Sequence, residues 1–106
     1  MPKPRREEQG DTAVVTEQKS KTEKPRLFRV ILHNDDFTTM EFVIRVLTEV
    51  FNKTVSEATD LTMEVHTRGA CLGGVYTFEI AEMKVARVLA MADAAEFPFL
   101  STLEPE

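Results

Sequence analysis

The fold of this protein is decided by residues 30–43, which read VILHNDDFTTMEFV. The first part continues an alternation of apolar and other side chains that begins at Leu27, as in a β-strand with one buried face. The polar triplet at residues 34–36 is typical of a turn. Apolar residues then recur at helical spacing, so the stretch predicts a strand, a turn and the first helix.

Capping patterns predict where the first two helices begin. Thr38 and Glu41 have the Thr-x-x-Glu spacing in which the Thr hydroxyl accepts from the Glu amide and the Glu side chain reaches back. Thr54 and Glu57 repeat this spacing, and Gly69 is placed to end the second helix. The apolar faces of the two helices contain Phe42, Val46 and Val50, and then Ala58, Leu61 and Val65.

The remaining residues complete an α+β pattern. Residues 70–76 are apolar and contain two adjacent glycines, which predicts a strand with a bulge or a close backbone contact. Thr77 can cap a third helix that runs to about Phe97, and a last strand is expected from Leu100. The predicted order is β-α-α-β-α-β, a small sandwich of three helices on a three-stranded sheet.

Composition divides the chain of 106 residues into two parts. Residues 1–26 hold seven Lys or Arg, five Asp or Glu, three of the five prolines and no aromatic residue. Such a segment cannot bury enough apolar surface to offset its ordering entropy, so a disordered extension is expected. Residues 27–106 hold all seven Phe and the one Tyr, and they are expected to form a single domain.

Charge and apolar content exclude several classes of partner. Residues 27–106 carry six basic and thirteen acidic side chains, so phosphate backbones are repelled and cationic partners are favoured. No apolar run is long enough to span a membrane or to act as a secretory signal, and the expected compartment is the cytoplasm. Cys71 is the only cysteine, which excludes an internal disulfide.

The polar residues permit more than one chemistry. Asp35, Asp36 and His66 offer oxygen and imidazole ligands for a metal-dependent enzyme, although no second His or Glu stands beside His66 at a ligand spacing. Cys71 and His66 are a weaker candidate for nucleophilic catalysis, because no oxyanion-hole motif accompanies them. Asn and Asp after a strand also commonly serve only to form a turn.

The quoted stretch closely resembles the strand-turn-helix signature of the ClpS family, the bacterial adaptors of the ClpAP protease. Further matches follow in the same order, at Val65-His66, at residues 73–77, at residues 79–85 and at residues 102–104. The resemblance covers residues 27–106. It implies a fold similar to the C-terminal domain of the ribosomal stalk protein, which has the βααβαβ order obtained above.

The resemblance also implies a function without catalysis. ClpS proteins bind proteins with a bulky N-terminal residue (Leu, Phe, Tyr or Trp) and deliver them to the N-terminal domain of the ClpA unfoldase. A monomer without cofactor or metal is therefore expected. By position, Asn34, Asp35 and His66 would hold the substrate's α-amino group, and Glu79 and Lys84 would dock the unfoldase. The pocket for the substrate's side chain would comprise Thr38, Met40, Val43, Thr62 and Val65, with Met40 rejecting β-branched residues.

The residue types agree with these implied roles. An α-ammonium group has three donors and no acceptor, and Asn34, Asp35 and His66 supply an amide, a carboxylate and an imidazole as acceptors. Asp36 is either part of this site or only a turn residue before the helix. Thr62 departs from the family, whose members commonly carry Met at this place, and Met63 cannot replace it because a helix turns it about 100° away.

Overall fold

Six elements in the order βααβαβ make up residues 24–106, the part of the chain that this computed structural model describes. They are β1 (Leu27–His33), α1 (Met40–Glu49), α2 (Val55–Arg68), β2 (Ala70–Thr77), α3 (Phe78–Ala95) and β3 (Leu100–Pro105). The order and number of the helices and strands, and the fold class, are those predicted from the sequence. The predicted extension at residues 1–26 falls almost wholly outside the described residues and stays a prediction.

The sheet is antiparallel and has the order β2-β1-β3, with β1 in the centre. Its register shifts between Val30, which pairs with Gly74, and Ile31, which pairs with Leu72, so Gly73 is the extra residue of a bulge. A Cβ atom on Gly73 would lie 2.8 Å from the ring of Phe51. The predicted bulge and the predicted close contact therefore both occur, at the same glycine.

The core lies between the sheet and the helices. Val30 and Leu32 are fully buried because alternate residues of β1 face the helical layer. Burying a side chain of this size stabilises the fold by about 1.5–3 kcal/mol. Phe42 of α1 makes edge-on aromatic contacts with Phe97 and Phe99, at centroid distances of 5.1 Å and 6.0 Å. These contacts fix α1, which carries part of the site, against the chain that follows α3.

The capping box predicted at the start of α1 is wrong. The N-cap is Thr39, whose hydroxyl accepts from the amide of Phe42 at 3.2 Å. The hydroxyl of Thr38 instead donates to the carboxylate of Asp35 at 2.6 Å. A charged acceptor forms the stronger hydrogen bond, so Thr38 belongs to the preceding loop and the helix begins one residue later.

The predicted ends of α2 are confirmed, and the predicted start of α3 is confirmed in part. The capping box of Thr54 and Glu57 is present, and Gly69 ends α2 with a left-handed φ of 91°. Thr77 occupies the N-cap of α3, but its side chain makes no capping hydrogen bond, so that prediction is correct in place and wrong in mechanism. Within residues 24–106 no helix is long and apolar enough to cross a lipid bilayer.

Candidate functional site

The loop between β1 and α1 is organised by one carboxylate. Oδ1 of Asp35 accepts hydrogen bonds from the amides of Phe37 and Thr38, both at 2.8 Å, and Oδ2 accepts the Thr38 hydroxyl. The amide of Asn34 donates to the carbonyl of Gly69 at 2.9 Å, which ties the loop to the end of α2. The loop therefore has a defined shape without a ligand.

These hydrogen bonds also keep Asp35 ionised. Partial burial by itself raises the pKa of this carboxyl, but the hydrogen bonds from the hydroxyl and amide of Thr38 and the amide of Phe37 outweigh it and hold the pKa below its usual value of 3.8. Asp35 is thus negative at neutral pH. Each carboxylate oxygen has two lone pairs, so Oδ1 is saturated and Oδ2 can accept one further donor.

A cavity of about 350 Å³ lies where this loop, the start of α1 and the second half of α2 meet. Ligand pockets commonly measure about 300–1,000 Å³, so this one suits a single small group. Its lining contains every residue that the sequence assigned to the α-amino and side-chain sites: Asn34, Asp35, Thr38, Met40, Val43, Thr62, Val65 and His66. The fold brings these residues together from one loop and two helices.

The cavity has an apolar interior and a polar mouth. Val43 and Val65 are 5% and 2% exposed, whereas Met40 is 43% exposed and lies at the rim. Asn34 and His66 are exposed and line the same cavity as Asp35, and their side chains carry hydrogen-bond acceptors. The arrangement suits a ligand that has an apolar group and, next to it, a cation that donates hydrogen bonds.

Thr62 is the polar residue of the interior. It is 2% exposed, and its hydroxyl donates to the carbonyl of Ala58 at 2.7 Å. The hydroxyl proton of Thr62 is therefore donated within α2, while its oxygen can still accept a hydrogen bond from a ligand. Met63 is 45% exposed and does not line the cavity, as the helical rotation predicts.

Three residues of the loop complete the lining. Phe37 and Thr39 were not assigned to the site from the sequence, and the role of Asp36 was left open. Phe37 is 77% exposed at the rim. The sequence could have indicated Phe37 and Thr39 as lining residues. Asn34 and Met40 were both assigned to the site, and a short turn that joins two lining residues lies beside the same cavity.

The two residues assigned to unfoldase docking lie on α3, outside the cavity. Glu79 is exposed. Lys84 is half-buried, and its Nζ donates to the carbonyl of Val50 at 2.7 Å and stands 5.4 Å from the centre of the Tyr76 ring. Lys84 therefore has an intramolecular role at the C-terminus of α1, which the sequence did not predict.

The geometry speaks against the two catalytic alternatives. Asp35, Asp36 and His66 line one cavity, yet within residues 24–106 no group of three His, Cys, Asp or Glu side chains is placed to hold a metal ion. Cys71 is buried in the core away from this cavity. Burial and the nearby charge of Glu64 raise the pKa of its thiol to about 12, so a reactive thiolate does not form near neutral pH.

Fold and cavity together define a class of protein: a small α+β domain with one layer of helices on an antiparallel sheet and an open pocket beside the first strand-helix turn. Comparison with known proteins narrows this class to one family. Residues 23–102 match the family model of the ATP-dependent Clp protease adaptor protein ClpS. The chain therefore belongs to the ClpS family of Clp protease adaptors.

Individual relatives agree with this assignment. The chain is 55% identical over 100 residues to the ClpS adapter protein of Desulfatibacillum aliphaticivorans, covering 94% of both chains. It is 50% identical over 94 residues to that of Nitratidesulfovibrio vulgaris, covering 89% of this chain and 92% of the relative. The structure of Agrobacterium tumefaciens ClpS2 bound to L-phenylalaninamide matches with a TM-score of 0.76 and 36% identity, over 78% of this chain and 100% of that chain.

Proposed function

We propose that this Clp protease adaptor binds proteins through a bulky hydrophobic N-terminal residue (Leu, Phe, Tyr or Trp) and delivers them to the N-terminal domain of a ClpA-type unfoldase. The observation that carries the proposal is the cavity itself. Hydrogen-bond acceptors at its mouth adjoin an apolar interior large enough for one side chain. A chain end of this type, with an ammonium group next to an apolar side chain, complements both parts.

The mouth would bind the α-amino group. An α-ammonium donates three hydrogen bonds, and the side chains of Asn34, Asp35 and His66 each offer an acceptor. The free position on Oδ2 of Asp35 provides a charge-assisted bond, which is stronger than a bond between neutral groups. Because the loop is already ordered by its own hydrogen bonds, binding costs little conformational entropy there.

The interior would bind the first side chain. Val43 and Val65 form the buried wall, and Thr38 and Thr62 contribute polar atoms to the lining. Met40 is exposed at the rim, where its flexible thioether can adapt to different apolar groups. The resemblance to the ClpS family implies that it would also reject a side chain branched at Cβ. The ligand of the Agrobacterium tumefaciens relative, L-phenylalaninamide, carries both an α-amino group and a phenyl side chain.

The partner surface would lie on α3. Glu79 is exposed there and available to a cationic group of the unfoldase, in line with the acidic character of the domain. Lys84 would contribute through the remaining donors of its ammonium group, since one of them is already bonded to Val50. We propose that the protein acts as a monomer and without a cofactor.

The direct test is a fluorescence anisotropy titration with two labelled peptides that begin with Phe and differ only in acetylation of the α-amine. The free amine is expected to bind, and acetylation is expected to abolish binding because it removes the cation and two of its donors. An Asp93→Asn variant, changed on α3 outside the cavity, serves as the control and should bind like the wild type. Equal binding of both peptides would refute the proposed recognition of the amine.

A further inference from the structure

One residue outside the cavity is bonded to two parts of its lining. The amide of Gly69 donates to the carbonyl of Val65 at 2.8 Å, and the carbonyl of Gly69 accepts from the amide of Asn34 at 2.9 Å. Val65 belongs to the apolar wall and Asn34 to the mouth, whereas Gly69 is not among the residues that line the cavity. The backbone of Gly69 therefore links the wall of the cavity to its mouth.

This link joins the two elements that carry the acceptors for an α-amino group. The hydrogen bonds of the Asp35 carboxylate all stay within the loop. Among the described residues, the bond between Asn34 and Gly69 is the only hydrogen bond from residues 34–39 to α2 or its C-cap. His66 lies in the last turn of α2, directly before this C-cap. The position of His66 relative to Asn34 therefore depends on the backbone of Gly69.

The conformation of Gly69 is one that glycine adopts most easily. Its φ of 91° and ψ of −13° are left-handed, and there the Cβ of an L-residue approaches the carbonyl oxygen that follows. Asn tolerates this region better than Ala does. Beyond its chain neighbours, no described residue has a heavy atom within 4 Å of a Cβ at this position. A small substituent therefore acts through backbone strain and not through a collision.

We infer that Gly69 is a positioning residue for recognition of the α-amino group, because its left-handed backbone sets the spacing between Asn34 and His66. This inference rests on the proposed function and adds to it a residue that touches no ligand. A charge-assisted hydrogen bond needs its donor and acceptor within about 2.7–2.9 Å, so a shift of the loop against α2 weakens one of the bonds to the ammonium. The loss of one hydrogen bond corresponds to about threefold to tenfold in affinity.

The test is a double-mutant cycle on the full chain, measured by anisotropy with the Phe peptide that has a free α-amine. Gly69→Ala should weaken binding about threefold to tenfold when His66 is present. In the His66→Ala background the same change should weaken binding by less than about twofold, because no imidazole remains to be misplaced. Gly69→Asn should bind more tightly than Gly69→Ala, since Asn tolerates the left-handed conformation. Urea denaturation of each variant establishes conditions in which all of them are folded.

Asn52 provides a matched control. It also has a left-handed backbone, with a φ of 57°, but it follows α1 and does not line the cavity. Asn52→Ala should lower the stability of the fold for the same steric reason and leave the peptide affinity unchanged. If Asn52→Ala weakens binding as much as Gly69→Ala does, general loss of stability is the cause and the inference is wrong.

The remaining outcomes separate the inference from the proposed function. Equal losses for Gly69→Ala with and without His66 would overturn the inference and leave the proposed function in place. A Gly69→Asn variant that binds as weakly as Gly69→Ala would also overturn it, because backbone strain would then not be the cause. If the wild type does not distinguish the free peptide from the acetylated one, the proposed function and the inference both fail.

Discussion

At the scale of single residues, the two adjacent aspartates of the loop differ in what they do. Asp35 accepts three hydrogen bonds from Phe37 and Thr38, whereas Asp36 accepts none among the described residues. Replacing Asp35 therefore changes both the shape of the loop and the charge at the mouth, and a loss of binding would not separate the two causes. The residues that contribute to the site without holding the loop, His66 and Thr62, give cleaner tests.

Peptide affinity is expected to fall as the pH drops through the pKa of Asp35, because protonation removes the negative charge that would bind the substrate's ammonium group. Burial raises this pKa, but the hydrogen bonds from Thr38 and Phe37 outweigh burial and hold it below its usual value of 3.8. The charge of Asp35 is therefore retained until the pH falls below that value. An anisotropy titration with the Phe peptide at each pH measures the effect.

The variant His66→Ala should weaken peptide binding by about 1–3 kcal/mol at neutral pH, as expected for the loss of a hydrogen bond to a charged group. His33 provides the control. It lies on β1 outside the cavity, with its Nε2 2.7 Å from the hydroxyl of Thr102, so His33→Gln should bind the peptide like the wild type. An unchanged affinity in His66→Ala would contradict the acceptor role of His66.

Thr62 is expected to set side-chain preference. Compared with Met, Thr leaves unfilled space in the interior, and Leu loses most from the missing contacts, whereas Tyr and Trp can reach the hydroxyl oxygen with a donor. Thr62→Met should therefore improve the affinity for a Leu peptide by about 1 kcal/mol. Met63→Ala, altered on the outward side of α2, should change nothing. Equal affinities for Leu and Phe peptides in the wild type would contradict this explanation.

At the scale of elements, α1 depends on a residue from another helix. The last turn of α1 contains no basic residue, and the carbonyl of its C-cap, Val50, accepts from Nζ of Lys84 on α3. A cation at this end also complements the negative pole of the helix. This contact joins the helix that carries Met40 and Val43 to the helix that carries Glu79.

Lys84→Met keeps the length of the side chain and removes the charge, and it should lower the free energy of unfolding by about 1–2 kcal/mol. Glu79→Gln, at an exposed position of the same helix, should change it by less than about 0.5 kcal/mol. Urea denaturation of the two variants measures both values. If Lys84→Met is as stable as the wild type and still loses unfoldase binding, Lys84 acts at the partner surface alone.

At the scale of the whole molecule, charge separates the two parts of the chain. Residues 27–106 carry a net charge of −7 from six basic and thirteen acidic side chains, whereas residues 1–26 carry +2 from seven basic and five acidic ones. The field of the domain attracts cationic groups, including the ammonium ends of polypeptides, and this increases the rate of encounter. Among residues 24–106, every residue that lines the cavity lies between Asn34 and His66.

We propose that residues 1–26 act in delivery to the unfoldase and not in binding, so deleting residues 2–24 should leave the affinity for N-terminal peptides unchanged and reduce degradation. Peptide anisotropy measures the first quantity. Degradation of a reporter protein with an N-terminal Phe, in the presence of the unfoldase and its protease, measures the second. Undiminished degradation would show that the segment has no part in delivery.

Local patterns in the sequence specify the order of the elements, and the resemblance to the ClpS family indicates most of the residues that line the cavity. Alternation in β1, the Thr54–Glu57 capping box and the Gly73-Gly74 pair are local signals, because each depends on side chains within one element or one turn. The motif from Asn34 to Met40, together with His66, contains most of the residues that line the cavity.

Only the tertiary structure decided which of several possible partners each polar group takes. Thr38 could cap α1 or bond the Asp35 carboxylate, and the charged acceptor prevailed. Lys84 meets Val50 across a separation of 34 positions, which no local pattern indicates. Asp36 proved to be the aspartate without a structural partner among the described residues, because its neighbour takes the loop amides. The Lys84 contact depends on how α1 and α3 pack, and the partners of Thr38 and Asp35 depend on the shape that the loop takes in the folded domain. Sequence spacing alone specifies neither.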